Sequence, residues 1–234
     1  MEAMNSGRPI DKLLVQKGMR GEKSREITDE LRNNGVPIQY VPKVKLDKIT
    51  GKNHQGMIAF ISPVEFDNLD WLVPSLYEKG EIPFILILDG ITDVRNFGAI
   101  CRTAECAGVH SIVVPTKNTA QIGPDAIKTS AGSLLNISIC RSTDLLKSIE
   151  FLKSSGLNVF ACHEKARNLH SEADLSGPSA FVMGSEETGI QNEIKATSNQ
   201  EIRIPLRGST QSLNVSTATG VILFEALRQR MLLE

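Results

Sequence analysis

The chain has 234 residues, of which 41% are hydrophobic and 23% charged, and its formal net charge at pH 7 is −1. These are the values of an ordinary soluble protein with length for one or two domains and a real core. A net charge near zero argues against strong non-specific binding of polyanions by the whole molecule. No apolar run approaches the roughly 20 residues that cross a bilayer. The opening segment MEAMNSGRPIDKLL lacks the hydrophobic region of a secretory signal, so we expect a cytoplasmic protein without a membrane partner.

The N-terminal part of the chain is basic and is predicted to be a small α/β domain over residues 1–64. Residues 1–60 carry 11 Lys and Arg against 7 Asp and Glu, whereas the remainder is net acidic. This imbalance is typical of an RNA-contacting module joined to a chemical module. The predicted elements are, in order, strand 11–15, helix 24–33 capped by Ser24 and closed by Asn34-Gly35, strand 36–40, a small helix from 42 to 46 and strand 57–61. His54-Gln55-Gly56 supplies either a turn or an RNA contact, and the turn is favoured.

Residues 65–82 are predicted to be a linker that contains one amphipathic helix. Leu69, Leu72, Val73 and Leu76 recur at helical spacing, and Gly80 is a plausible stop.

From residue 83 onwards the pattern alternates between short apolar runs and amphipathic segments, which predicts a parallel sheet with helices on both faces. The third predicted domain spans 83–234. Its predicted elements are strand 84–88, helix 96–107, strand 111–114, helix 143–154, strands 157–162, 179–183 and 201–204, and a long final helix. The run Val221 to Phe224 within that helix is apolar on every face, so we expect it to be buried all round, partly by a partner.

Three polar segments each follow a predicted strand: DGITDVRNFGAICR at 89–102, GSEETG at 184–189, and the knuckle SLN at 212–214. Because parallel sheets bind ligands outside the carboxyl ends of their strands, the three segments predict one composite site. An adenosine-containing cofactor is the usual guest of such a site. The GxGxxG and Walker A fingerprints are absent, and none of the four histidines lies in these loops, which disfavours hydride transfer, ATP hydrolysis and ester hydrolysis.

The cysteines give no sign of a metal site or of disulfides. Cys101, Cys106, Cys140 and Cys162 show no CxxC spacing, so four reduced thiols are expected. Cys162-His163 has no second ligand pair nearby, and no metal is predicted.

The segments DGITDVRNFGAICRTAE, FVMGSEETGI and IPLRGSTQSLNVSTATG together resemble the three ordered motifs of the SpoU family. That family comprises S-adenosylmethionine-dependent RNA ribose 2′-O-methyltransferases of the SPOUT class. TGKNHQGMIAFISP resembles the substrate-binding domain of the bacterial 23S rRNA guanosine 2′-O-methyltransferase. The resemblance implies that S-adenosyl-L-methionine is the cofactor and RNA the partner. It also implies a C-terminal trefoil knot, a homodimer built around it, and a first domain that binds the substrate.

The resemblance also assigns roles to individual residues. The residues that match the family's catalytic positions are Asn96, Arg102, Glu186, Ser212 and Asn214. Those that match positions holding the adenine and ribose of the cofactor are Gly184, Ile204 and Leu213. At Gly184 a Cβ could obstruct close approach of the nucleoside.

Each catalytic position also has a purely structural interpretation. Asn96 could cap a helix, and Arg102 could form a surface salt bridge. Glu186 could be a carboxylate at a helix N-terminus, where the macrodipole stabilises negative charge. Ser212 and Asn214 could both be helix caps. Asn96 and Arg102 are six residues apart on one helix and are expected to point to roughly the same side.

Two departures from the family and three alternatives remain. Val94 stands where many relatives carry Pro, which affects turn rigidity, and RGSTQ before SLN is atypical, which affects local RNA contacts. The resemblance implies a guanosine of 23S rRNA as the target. The target could instead be tRNA, although many tRNA members carry short extensions rather than a full N-terminal domain. The protein could be a non-catalytic RNA-binding or ribosome-assembly protein, or a methyltransferase that confers antibiotic resistance on ribosomes.

Overall fold

The computed structural model describes residues 9–232, and the chain divides into two compact units between Glu65 and Phe66. Residues 1–8, which begin the segment predicted not to be a secretory signal, lie outside the described part. The domain limits 1–64, 65–82 and 83–234 stay a prediction. Among the described helices, none is long and apolar enough to span a membrane.

Over residues 9–65, the N-terminal unit is a three-stranded sheet with two helices. Its elements are β1 Ile10–Gln16, α1 Glu22–Asn33, β2 Ile38–Val41, α2 Lys43–Ile49 and β3 Met57–Ile61. Strand β1 is central, parallel to β2 and antiparallel to β3. Because side chains alternate along a strand, Leu13 packs in a cluster with Leu31 of α1, whereas Leu14 packs with Leu46 of α2. Both faces of β1 are therefore covered.

Helix α1 begins two residues before the predicted start, and Ser24 is not its cap. Gly21 occupies the N-cap position, and the buried Ser24 hydroxyl donates to the Gly21 carbonyl at 2.8 Å from within the first turn. A serine one turn inside a helix can bond back to a carbonyl as readily as it can cap, so its sequence position alone does not distinguish the two.

The second unit is a seven-stranded sheet in which every pairing is parallel, so the predicted α/β class is confirmed. The strand order is β6-β5-β4-β9-β7-β10-β8. The elements are α3 Leu69–Glu78, β4 Phe84–Asp89, α4 Val94–Cys106, β5 Ser111–Pro115, α5 Pro124–Thr129, a 3₁₀ turn Ser133–Leu135, β6 Ser138–Ser142, α6 Leu145–Ser154, β7 Asn158–Cys162, β8 Asn168–Leu169, β9 Ser179–Gly184, α7 Asn192–Thr197, β10 Gln200–Arg203 and α8 Val215–Met231.

Strand β4 is an interior strand of this sheet, between β5 and β9, and is buried at every position. Ile85 and Ile87 belong to a core cluster with residues of α3, α6 and α7. Helices α4 and α8 pack against each other. Since neighbouring residues of a strand face opposite sides, a strand covered on both faces reads as a continuous apolar run, as β4 does.

The segment predicted as a linker is, from residue 66, part of the second unit. Val73 and Leu76 of α3 are buried in its main core cluster. The Asp67 N–H donates to the Ile139 carbonyl at 2.9 Å, and Asp67 forms a parallel bridge with Cys140 of β6. The helical periodicity was a correct indication, but periodicity does not identify the surface against which a helix packs.

Helix α8 is not buried all round within one chain. Ile222 and Leu223 are buried, whereas Val221 and Phe224 are 37% and 48% exposed. Within one chain, only the side of the helix that carries Ile222 and Leu223 is covered. Because the sequence is apolar on every side, the exposed side is apolar as well. The predicted trefoil knot stays a prediction.

The last turn of α8 packs against the N-terminal ends of β4 and β9. The Arg230 guanidinium donates to the carbonyls of Ile82, Pro83 and Gly177 and to the Ser179 hydroxyl, at 2.8 to 3.1 Å. It also lies 4.2 Å from the centre of the Phe84 ring. Burial lowers the pKa of Arg230 to about 10. Neutral acceptors thus stabilise a cation that has no carboxylate partner among the described residues.

His110 lies near Arg230, where β4 begins, and its environment predicts a dependence of stability on pH. Its Nδ1 accepts from the Phe84 N–H at 3.0 Å, and its Nε2 lies 2.8 Å from Glu81 Oε2. Burial lowers the pKa of His110 below 6.5; Glu81 opposes this shift and Arg230 adds to it. Because an accepting Nδ1 carries no proton, the folded state favours the neutral ring with its proton on Nε2.

As the pH falls below 6.5, we expect the free energy of unfolding to decrease, because the unfolded histidine takes up a proton before the folded one does. The decrease should level off below the folded-state pKa. Urea unfolding on either side of this range measures it, and His110→Asn, which keeps an acceptor near Nδ1, should reduce the pH dependence. An equal pH dependence in both proteins would contradict the prediction.

Candidate active site

One side chain, Asn214, connects all three polar segments. Asn214 is the N-cap of α8: its Oδ1 accepts from the Ser216 N–H at 2.9 Å and the Ser216 hydroxyl at 2.6 Å. Its Nδ2 donates to Asn96 Oδ1 at 3.0 Å and to Glu186 Oε1 at 2.7 Å. The cap interpretation of Asn214 is therefore correct, and the same amide also joins the other two segments.

Asn96 lies in the first turn of α4 and does not cap it. The cap is Asp93, whose Oδ1 accepts from the N–H groups of Arg95 and Asn96 at 2.9 and 2.8 Å. The helix therefore starts at Val94 rather than at the predicted Asn96. With Asp93 in the capping position, the Asn96 side chain is left to accept the bond from Asn214.

Glu186 belongs to a tight loop after β9 and lies at the N-terminus of α8. Its Oε1 accepts from Asn214 Nδ2 and, at 3.4 Å, from the Val215 N–H. A carboxylate at this end of a helix is favoured by the macrodipole, as the structural interpretation predicted. The loop is held by a 2.7 Å bond between the Ser185 and Thr188 hydroxyls.

Buried Asp89, at the end of β4, fixes the far side of this loop. It accepts from the backbone N–H and side-chain amide of Gln191, at 2.8 and 2.7 Å. Asp89 of the first segment thus bonds to the chain two residues beyond the second segment, and Asn214 joins the two segments themselves.

A cavity of about 290 Å³ lies beside this network. Its walls come from the ends of β7, β9 and β10 and from the start of α8. They include all three residues predicted to bind the cofactor, Gly184, Ile204 and Leu213, and the predicted catalytic residues Glu186 and Ser212. The walls mix apolar side chains with a few polar groups, which is typical of pockets for small molecules. Such walls suit the adenine and the polar groups of S-adenosylmethionine.

Arg102 lies outside this network. It is exposed on α4, and its guanidinium makes no hydrogen bond or ion pair within residues 9–232, so the predicted surface salt bridge is not present there. Asn96 accepts a hydrogen bond from Asn214, whereas Arg102 forms no hydrogen bond or ion pair with Asn214 or Glu186. Arg95, two turns before Arg102, is exposed on the same face of α4.

Ser212 contributes to the cavity wall but caps no helix, because Asn214 occupies the cap of α8. Its hydroxyl makes no hydrogen bond in the described part of the chain, so it is free to contact a bound molecule.

The sequence patterns missed one wall of the cavity, the polar loop after β7. Cys162, His163, Glu164 and Lys165 all line it. His163 Nε2 pairs with Glu201 Oε2 of β10 at 2.5 Å and joins the ends of two neighbouring strands. Burial raises the pKa of the Cys162 thiol, which disfavours the thiolate form that a nucleophilic cysteine needs. The available signal was position: this loop follows a predicted strand, as the other three segments do.

No group of three or more His, Cys, Asp or Glu side chains in the described chain is arranged to hold a metal ion. All four cysteines are free.

Gly184 has a reason to be glycine that differs from the predicted one. A Cβ at this position would overlap the backbone of Gly189 and Ile190, with the Gly189 carbonyl oxygen at 2.6 Å. The constraint thus comes from the protein's own loop, which folds back over the end of β9.

We therefore expect Gly184→Ala to displace the 185–190 loop and to weaken S-adenosylmethionine binding by about tenfold or more, because overpacking costs roughly 1–3 kcal/mol. Calorimetric titration measures the affinity. Gly177→Ala is a matched control, because a Cβ at Gly177 has open space around it. Parental affinity in Gly184→Ala would contradict the prediction.

Comparisons with known proteins agree with this geometry. Residues 83–224 match the model of the SpoU rRNA Methylase family, and residues 1–67 match the model for RNA 2′-O ribose methyltransferase substrate binding. A protein of Bacillus subtilis (strain 168), named as a TrmH family tRNA/rRNA methyltransferase, is 34% identical over 230 residues, covering 98% of this chain and 92% of its own.

Two solved structures extend the comparison. An AdoMet-bound rRNA methyltransferase from Sinorhizobium meliloti is 25% identical with a TM-score of 0.64, covering 97% of this chain and 83% of its own. A TrmH/SpoU tRNA modifying enzyme from A. aeolicus is 31% identical with a TM-score of 0.59, covering 68% of this chain and 82% of its own. The chain thus belongs to the SpoU rRNA methylase family and is an S-adenosylmethionine-dependent RNA methyltransferase.

Proposed function

We propose that this enzyme methylates the ribose 2′-hydroxyl of a guanosine in 23S rRNA. The observation that carries the proposal is the amide of Asn214, which joins the three motif segments beside a cavity lined by the predicted cofactor-binding residues. A network that is already formed in the protein would keep the three segments in position before the substrate arrives.

Gly184, Ile204 and Leu213 would hold the nucleoside of S-adenosylmethionine in the cavity. When bound, this cofactor supplies a methyl group on a sulfonium, which is already strongly electrophilic. The protein therefore has to align the ribose oxygen with the methyl carbon and assist the loss of its proton. Ser212 and Glu186, which line the same cavity, would orient the ribose and the loop.

Arg102 would bind the phosphate beside the target ribose and stabilise the developing alkoxide. Its guanidinium is exposed and has no carboxylate partner in the described chain, so no existing ion pair has to break when RNA binds. A guanidinium has a pKa above roughly 12 and is a poor general base, so a role as a fixed positive charge is physically stronger.

The N-terminal unit would select the RNA and the second unit would transfer the methyl group. Of the predicted parts 1–64, 65–82 and 83–234, the linker would then belong to the second unit from residue 66. The family match over residues 1–67 and the basic bias of this part support the division.

The relatives favour rRNA over tRNA as the target. The structure named as an rRNA methyltransferase matches 97% of this chain, whereas the one named as a tRNA modifying enzyme matches 68%. The full-length match includes the N-terminal unit, which is the part expected to choose the substrate.

The test is to map ribose methylation in rRNA and tRNA from a deletion strain, complemented by the parental gene or by Arg102→Ala. We expect the deletion strain to lack one ribose methyl group on a guanosine of 23S rRNA. The parental gene should restore this methyl group, and the Arg102→Ala gene should not. Loss from tRNA instead would support the tRNA alternative. No lost methyl group would support a non-catalytic assembly protein.

We further propose that two chains form a homodimer through the outer face of α8, around the expected knot. The exposed Val221 and Phe224 support this, because an apolar outer helix face is more stable when covered. Sedimentation equilibrium measures the mass, and a monomer at micromolar concentration would refute the dimer.

A further inference from the structure

The N-terminal unit has an open pocket of its own, of about 650 Å³. Its walls come from Gln16 at the end of β1, Lys43 and Asp47 of α2, and the loop 50–56. Every lining residue is polar or glycine. Such walls suit a polar ligand with many hydrogen-bonding groups and disfavour an apolar peptide or a lipid.

The imidazole of His54 holds the loop of this pocket in one conformation. Its Nδ1 accepts from the Gly56 N–H at 3.0 Å, so its proton is on Nε2, which donates to Asp47 Oδ1 at 2.9 Å. The side chain is only 8% exposed. The Gly56 carbonyl in turn accepts from the Gln16 N–H of β1 at 2.8 Å. His54 is thus a positioning residue, and the loop is tied to both α2 and β1.

The loop is held in a strained conformation that presents Gln55 to solvent. Gln55 has a φ of 48°, which side chains other than glycine seldom adopt. Gly56 follows with a φ of 80°, and a Cβ there would meet Met19 Sδ at 3.0 Å. Strain of this kind persists where the surrounding structure enforces it and often marks a functional position.

The groups left free in this pocket match the chemistry of RNA. Lys43 and Lys52 are exposed and form no ion pair within residues 9–232, because the one acid in the lining, Asp47, is bound by His54. Asn53 and Gln55 are exposed. The Asn53 Oδ1 accepts from the Gln55 N–H at 3.2 Å, which leaves the Asn53 Nδ2 to donate, whereas the Gln55 amide can both donate to and accept from a base edge. Lysines beside amides on a rigid loop suit a phosphate and an unpaired base.

We propose that this pocket holds one unpaired nucleotide of the RNA substrate, with Lys43 and Lys52 on its phosphates and Asn53 and Gln55 on its base. The inference rests on the proposed function, since it names the part of the N-terminal unit that contacts RNA. It assigns the contacts to the loop 50–56 and gives His54 the role of holding that loop.

The charge contacts are tested with Lys43→Ala and Lys52→Ala against Lys45→Ala, a lysine that is also exposed on α2 but lies outside the lining. The probes are an unmodified 23S rRNA transcript and unmodified bulk tRNA, in filter binding over a series of salt concentrations. Each pocket variant should weaken binding of the preferred RNA and reduce the slope of log K against log salt by about 0.7, the value for one phosphate contact on single-stranded nucleic acid.

The base contact is tested with Gln55→Gly, which separates folding from binding. Glycine adopts a positive φ without strain, so the melting temperature should stay the same or rise. Affinity for the RNA should nevertheless decrease by about tenfold, because a base contact is lost. The salt slope should be parental, since no charge is removed.

Parental RNA affinity in Gln55→Gly, or equal behaviour of Lys43→Ala, Lys52→Ala and Lys45→Ala, would overturn the pocket assignment. S-adenosylmethionine affinity and methyl transfer by the parental chain are measured in parallel. If the parent methylates RNA while the pocket variants bind normally, the pocket is wrong and the reaction stands. If the variants lose binding while the parent methylates nothing, the reaction is wrong and the pocket stands.

Discussion

Replacing Arg102 with alanine is expected to lower the rate of methyl transfer by about 10²–10³-fold, the usual loss when one charge-stabilising donor is removed from a transition state. S-adenosylmethionine affinity should not change, because Arg102 is not among the residues that line the cavity. Stability should also be parental, because the exposed side chain makes no hydrogen bond or ion pair within residues 9–232. Single-turnover methylation of RNA measures the rate, and calorimetry measures the affinity.

Two further variants make this result specific. Arg102→Lys keeps the charge but loses the planar fork that grips a phosphate with two bonds, so its rate should lie between parent and alanine. Lys147→Ala removes an exposed positive charge on α6 and should leave the rate parental. If Arg102→Ala methylates at the parental rate, the assignment of this residue fails.

Asn214→Asp is expected to lower the methylation rate by about 10²-fold, as small misplacements of reacting groups do. The aspartate keeps the oxygen that caps α8, and aspartate is a good N-cap. It replaces the donating Nδ2 by an oxygen, which would face Glu186 Oε1 and Asn96 Oδ1 where the bonds are now 2.7 and 3.0 Å. Repulsion should therefore separate the three segments while α8 stays capped.

The matched control for this variant is Asp144→Asn, which makes the reverse change at the N-cap of α6, away from the site. Both caps should survive, so melting temperatures should change little in the control, and only Asn214→Asp should lose activity. Asn214→Ser, which caps but adds no charge, separates the lost bonds from the new repulsion. An active Asn214→Asp enzyme would show that the network is not required.

The sequence patterns predicted the interior of the second unit well and its edges poorly. Strand β4 was predicted because its apolar run reflects burial on both faces. The strands that were missed, β6 and β8, are the two edges of the sheet, where such a run is not required.

The chain segments of the site were predictable, but their mutual contacts were not. Asp93 and Asn96 are both good capping residues, and only the geometry of α4 shows that Asp93 is the cap. Gly184 was predicted to be glycine so that the cofactor can approach closely. A Cβ at this position would instead overlap the protein's own backbone. The loop from Cys162 to Lys165 carries no motif, and only the register of the sheet brings it to the cavity.

Helix α8 extends from the carboxyl ends of the parallel strands to their amino ends, with Asn214 at its start and Arg230 in its last turn. During synthesis, Arg230 leaves the ribosome after Ile82, Pro83 and Gly177. The carbonyls of these three residues therefore lack their guanidinium donor until the end of α8 has emerged. The second unit can therefore complete its packing only late in translation. The nascent enzyme should acquire its catalytic competence and its final resistance to proteolysis together, in one closing event.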